Sequence, residues 1–277
     1  MVQRHSAGWG IRPASKIDVR GGRATAGAGG EVTYEKGPDL SGTRREDLDL
    51  SRARLHAPNF EAATITDGWF VDANISGDFR GLRLNGVEVA PLVAAELERR
   101  QPERTLLRAD TPVGMLDAWE MIERTWEETL RRAREFPEAA LHQRVDDEWS
   151  FVETLRHLVL ATDCWLRRMV KGEPRPYHPW GVAGSWLSDP ASWGLDPGAT
   201  PTFDEVLFLR RQRMDEVEVT IRALTVNELS RVCVAPNTAG HPTGERPVGE
   251  CLRVILNEEY EHSGYARRDL DALASNI

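Results

Sequence analysis

Val248-Gly-Glu-Cys-Leu-Arg-Val-Ile-Leu-Asn-Glu-Glu-Tyr-Glu-His-Ser-Gly-Tyr-Ala-Arg-Arg-Asp-Leu-Asp-Ala-Leu273 carries Cys251, Ile255, Glu258, His262 and Tyr265 at alternating spacings of four and three residues. That spacing is one stripe of a helix. The stripe opens apolar and should face a core, where an uncompensated carboxylate costs several kcal/mol or surrenders its charge. A divalent cation would compensate it, because side chains at i and i+4 stand roughly 5–6 Å apart at Cβ and can share an ion. Read without the rest of the chain, Glu258 and His262 also fit an exposed pair on a charged face with Glu259, Glu261, Arg267 and Arg268.

A second stretch, Trp149-Ser-Phe-Val-Glu-Thr-Leu-Arg-His-Leu-Val-Leu-Ala-Thr-Asp-Cys-Trp-Leu-Arg-Arg-Met169, opens with Ser150 and Glu153 in the spacing of a capping box. Val152, Leu155, Leu158, Thr162, Trp165 and Met169 mark its buried face, broadened by Val159 and Leu166, and His157 lies at the edge of that face. A lone histidine there is satisfied by one carbonyl and a water. Met115, Trp119, Ile122, Trp126, Leu130 and Ala133 stripe an earlier helix, and Leu207, Met214, Val217, Ile221 and Leu224 a third. Four long helices therefore lie between Thr111 and the C-terminus, and bundles of this kind build metal sites from ligands on facing helices.

The segments Glu148-Trp-Ser-Phe-Val-Glu-Thr-Leu-Arg-His-Leu158 and Leu256-Asn-Glu-Glu-Tyr-Glu-His-Ser-Gly-Tyr265 resemble the DinB-like metal-binding four-helix-bundle family, over Thr111 to Ile277. In that family a histidine of the second helix and a His-x-x-x-His pair of the last bind a metal with one position open. The resemblance implies His157, Glu258 and His262 as ligands, with Glu258 in the place of the middle histidine. Two histidines and a glutamate form a known catalytic zinc set, and the same trio suits iron, manganese or nickel. The resemblance further implies a thiol S-transferase using a small thiol of the mycothiol type as cosubstrate and a small electrophile as acceptor. A free thiol titrates near about 8.5, whereas a metal-bound one is a thiolate at neutral pH. A metal-dependent hydrolase or isomerase, and a non-enzymatic interaction module stabilised by metal, are the alternatives.

Trp149, Arg156 and Tyr265 are candidate substrate-binding residues beside the ligands, as are Arg267 and Arg268. Each has a structural reading too: Trp149 as a staple on the helix start, the arginines as surface ion pairs with Glu153, Asp163, Glu261 or Asp271, Tyr265 as core. The long connection Gly172 to Thr202 carries six prolines with Trp180, Trp186 and Trp193, whose indoles can either wall a pocket over the bundle end or cover helix surface.

The N-terminal part has another period. Leu50, Leu55, Phe60, Ile65, Phe70 and Ile75 fall every five residues, with mostly small residues two positions before each. This resembles pentapeptide-repeat proteins, and about one and a half turns of such a β-helix is too short to bury its own interior. The expected fold is mainly α, a DinB-like four-helix bundle preceded by a short β-helical stub. Residues 1–39 read as a flexible tail, 40–90 as the repeat segment, 91–110 as a connecting helix and linker, and 111–277 as the bundle. The run Gly27-Ala-Gly29-Gly30 is no phosphate loop, since no apolar strand precedes it and Val32 stands where the last glycine belongs.

A net charge of -9 argues against nucleic acid as a partner. Nothing in the sequence reads as a signal peptide or membrane span, so a cytoplasmic protein is expected, and a homodimer is compatible with the bundle. Cys164, Cys233 and Cys251 lack the spacing of a disulfide framework or cysteine zinc site.

Overall fold

The computed structural model describes residues 37–55, 58–146, 148–184 and 187–275. Most of the expected tail, with its glycine run, and Trp186 lie outside them. The chain divides into two compact units, one ending at Ser76 and one beginning at Gly77.

In the first unit the five-residue period is written into the backbone. Asp47, Arg52, Ala62, Asp67 and Asp72 all take positive φ, between 54° and 63°. Turns bonded from Leu40 to Thr43, Leu50 to Ala53, Phe60 to Ala63 and Phe70 to Ala73 recur every ten residues. Among the described residues this unit contains no β-strand, and Leu50, Leu55, Phe60, Ile65, Phe70 and Ile75 remain 48–59% exposed.

The second unit opens with a two-stranded hairpin, β1 (Arg83–Leu84) and β2 (Val87–Glu88), turned by Asn85 and Gly86 at φ 49° and 82°. Both central residues are left-handed, which is why Asn-Gly occupies this turn. Helix α1 (Ala90–Arg100) starts with proline in its first turn, and a 3-10 turn, Pro102–Arg108, leads to α2 (Pro112–Ala133). Short α3 (Glu138–Leu141) precedes α4 (Phe151–Thr162). After the Gly172–Thr202 connection come α5 (Phe203–Arg222), short α6 (Val226–Ser230), the antiparallel ribbon β3 (Val232–Val234) and β4 (Glu245–Pro247), and α7 (Val248–Ala274). Helix α2 neighbours α7 and α5, and α4 neighbours the same two, so the long helices close a four-membered ring around one core. Met115, Trp119, Ile122 and Trp126 of α2, Val152, Leu155 and Leu158 of α4, and Leu252, Ile255 and Leu256 of α7 fill it.

Helix α4 starts where its sequence says it should. The Glu153 amide donates to Ser150 Oγ at 3.2 Å, and the Ser150 amide donates to the Glu153 carboxylate at 2.9 Å. Arg144 donates to that carboxylate as well, at 2.6 Å. Ser150→Ala is expected to lower the unfolding free energy by about 1 kcal/mol, the usual cost of a lost N-cap, read from urea denaturation.

Two features depart from the hydrophobic pattern. Helix α4 does not stop at Thr162 but widens into a π-helical segment, Asp163–Val170, which buries Asp163 and Arg168 completely. Arg168 donates to the carbonyls of Pro236, Thr238 and Pro242 and to Thr238 Oγ1, lashing the β3–β4 connection to the helix. Helix α5 is rotated from its expected face. Phe203, Val206, Leu209, Arg210, Arg213, Val217 and Ile221 are buried, whereas Leu207, Met214 and Leu224 are only partly so. Two arginines sit in the buried stripe because each meets an acid. Arg210 makes a bidentate pair with Glu259 at 2.6 and 2.9 Å, and Arg213 Nε donates to Asp163 at 2.6 Å. Asp163 and Glu259 are therefore core partners, not members of solvated faces.

Candidate metal centre

On α7 the core stripe runs through Leu252, Ile255, Leu256, Glu259, Ser263 and Ala266. Glu258 and His262, one turn apart, flank that stripe and meet His157 of neighbouring α4. The Glu258 carboxylate lies 3.4 Å from His157 Nε2 and 3.1 Å from His262 Nδ1. One ligand atom from each residue falls within 4.8 Å of the others, and the three side chains are 13–16% exposed. Among the described residues this is the sole cluster of three or more histidine, cysteine or acidic side chains able to share an ion.

Backbone carbonyls orient both imidazoles. His157 Nδ1 stands 2.9 Å from the Val182 carbonyl and His262 Nδ1 stands 2.9 Å from the Glu258 carbonyl. In the neutral form that a metal would take, a ring donating through Nδ1 to a carbonyl has its lone pair on Nε2. Burial would push the Glu258 carboxyl up, but hydrogen bonds from His157 and His262, with their charge, hold it well below the usual carboxylate range. Burial would likewise push His262 down, and the Glu258 carboxylate outweighs it and raises the imidazole. The cluster is thus a carboxylate kept ionised by two imidazoles. A divalent cation fits the same donors, since two imidazole nitrogens and one carboxylate oxygen make a three-ligand set with room for a fourth.

Trp149, just ahead of the α4 cap, lays its ring 4.4 Å from His157 and 6.1 Å from His262. Tyr265, 47% exposed and outside the core, meets His262 edge-on at 5.5 Å. Arg268 places its guanidinium 5.6 Å over the Tyr265 ring and pairs with Asp269 at 2.7 Å. Arg267 donates to the Ser263 carbonyl. Arg156 turns elsewhere. It is buried and donates to the carbonyls of Trp180 at 2.7 Å and Ala199 at 2.9 Å, clamping the Gly172–Thr202 connection onto α4. Its neighbour His157 binds Val182 of the same connection, a contact no sequence motif announces because a main-chain oxygen makes it.

Of the connection's indoles, the two that are described sit elsewhere than at the triad. Trp180 lines a separate cleft of about 470 Å³ with His178, Phe208 and Leu209. Trp193 stacks on Tyr177 at 4.9 Å, beside a small second core. The three cysteines are free thiols, although Cys233 and Cys251 lie 3.7 Å apart, sulfur to sulfur.

The fold and the site together define a helical-bundle protein with a two-histidine, one-glutamate candidate metal centre. The family model described as the DinB superfamily matches residues 121–266, more than half of the chain, which belongs to that superfamily. Searches of curated proteins and of solved structures gave no match. Membership is consistent with a metal-dependent enzyme. No described helix is long and apolar enough to cross a membrane.

Proposed function

We propose that this protein is a metal-dependent S-transferase that joins a low-molecular-weight thiol of the mycothiol type to a small electrophile, or exchanges it there, in detoxification or secondary metabolism. The reading is carried by the convergence of His157, Glu258 and His262 from two adjacent helices. A divalent cation held by these three, zinc or another of the ions this donor set accepts, would supply thiolate at neutral pH from a thiol that otherwise titrates near about 8.5.

The chain's own groups prepare that chemistry. Val182 and the Glu258 carbonyl hold each imidazole with Nδ1 occupied. Glu258 contributes the negative charge that offsets a cation in a half-buried place. Trp149 shields the imidazoles on its side from water, which strengthens electrostatic interactions within the cluster. Partial burial, and then the Glu261 carboxylate, push the Tyr265 phenol up from its ordinary value, and its exposed side can donate a hydrogen bond to an incoming substrate.

The test is conjugation of mycothiol to a generic electrophile such as monobromobimane. The rate above background should vanish after chelation and return with added zinc. Equal rates with and without chelator would remove the proposal, and so would turnover that persists when all small thiol is withdrawn, which belongs to a hydrolase or isomerase instead.

A further inference from the structure

We infer that Trp149 is a positioning residue for the metal ligands, a flat wedge that sets the planes of both imidazoles before any ion arrives; this rests on the metal reading of the triad given above. Three rings form one cluster. The indole is inclined 34° to His157 and 22° to His262, and the two imidazoles stand 4.8 Å apart at 34°. Each imidazole has two means of escape from a ligating pose, rotation about χ2 and swinging out on χ1. The carbonyls of Val182 and Glu258 oppose the first by fixing which nitrogen points outward. A ring face packed against both imidazoles opposes the second, because either ring must push the indole aside to leave.

The simpler account of a large apolar residue ahead of a helix cap is a hydrophobic staple, which needs an apolar partner at the fourth helical position. Here that position is Thr154. Trp149 instead reaches past it, to His157 at the end of the second turn. Its own direction is set by the capping box of Ser150 and Glu153, which fixes the backbone immediately after it. The start signal of α4 therefore has a second consequence, aiming the indole at the ligands. Ordering ligands in advance removes an entropy cost from binding, and partners that orient ligand rings are worth about 10–100-fold in metal affinity.

The experiment is a Co(II) titration of the full chain followed by visible ligand-field absorption, whose intensity and band positions report coordination geometry independently of turnover. Wild-type protein should bind one equivalent. W149A should bind about 10–100-fold more weakly with altered bands, and W149F, which keeps a flat face, should stay within about 3-fold of wild type. If W149A loses its helical far-ultraviolet signature, W149L, which keeps bulk without the flat face, takes its place under the same criterion. Wild-type protein that binds no stoichiometric Co(II) overturns the metal reading and this inference with it. Co(II) bound by wild type and by the variant with equal affinity and identical bands overturns the inference alone.

Discussion

His157→Ala is expected to weaken divalent-cation binding by roughly 10²–10³-fold, the share of one ligand in a site worth about 10–16 kcal/mol when complete. Glu258→Gln and His262→Ala should behave alike, because each removes one of only three protein donors. Isothermal titration with zinc, beside elemental analysis of the purified protein, reads the effect. Stability supplies an independent check. An ion at about a hundredfold above its dissociation constant adds about 2.7 kcal/mol, so chelation should lower the Tm of the wild-type protein by roughly 5–10 °C. The Tm of His157→Ala should not respond to chelator. Protons compete for the same imidazole nitrogens, so the affinity should fall as pH falls. Wild-type affinity retained in all three variants would mean that the cluster holds no ion.

The second large effect is expected at Arg210. Its bidentate pair with Glu259 is about as deeply buried as any charge in the molecule, both side chains being 2% exposed. The guanidinium also lies 4.4 Å over the Trp126 ring, and Trp126 Nε1 donates to the Glu259 carbonyl at 3.2 Å, so α2, α5 and α7 are joined at one point. Arg210→Met strands a buried carboxylate and should cost about 3–5 kcal/mol in urea unfolding. Replacing both partners, Arg210→Met with Glu259→Leu, should recover most of that loss, since a buried pair contributes little over well-packed apolar groups. Additive losses in the double variant would show that the residues act separately. Because Glu259 is the immediate neighbour of Glu258, the single variant should also loosen the ligand cluster, and metal affinity measured on it tests that link.

Much of this molecule was legible in its sequence for a local reason. The start of α4 is decided by a serine and a glutamate three residues apart, and the buried face of α2 by apolar side chains spaced to one helical turn. Glu258 and His262 could be picked out because residues four apart share a helix face whatever surrounds them. The five-residue period of the N-terminal unit was legible for the same reason, since the left-handed residue recurs with the repeat.

Tertiary structure decided what depends on partners far along the chain. The apolar stripe of α5 does not include Arg210 and Arg213, and they enter the core because packing sets Glu259 and Asp163, some fifty residues away, opposite them. The same packing turned Arg156 onto the carbonyls of Trp180 and Ala199. It also brought the Val182 carbonyl to His157 and laid Trp149 over two imidazoles. A residue's own spacing settles which face of its helix it occupies. What that face meets is settled by desolvation and pairing, which exist only once the helices have closed on one another.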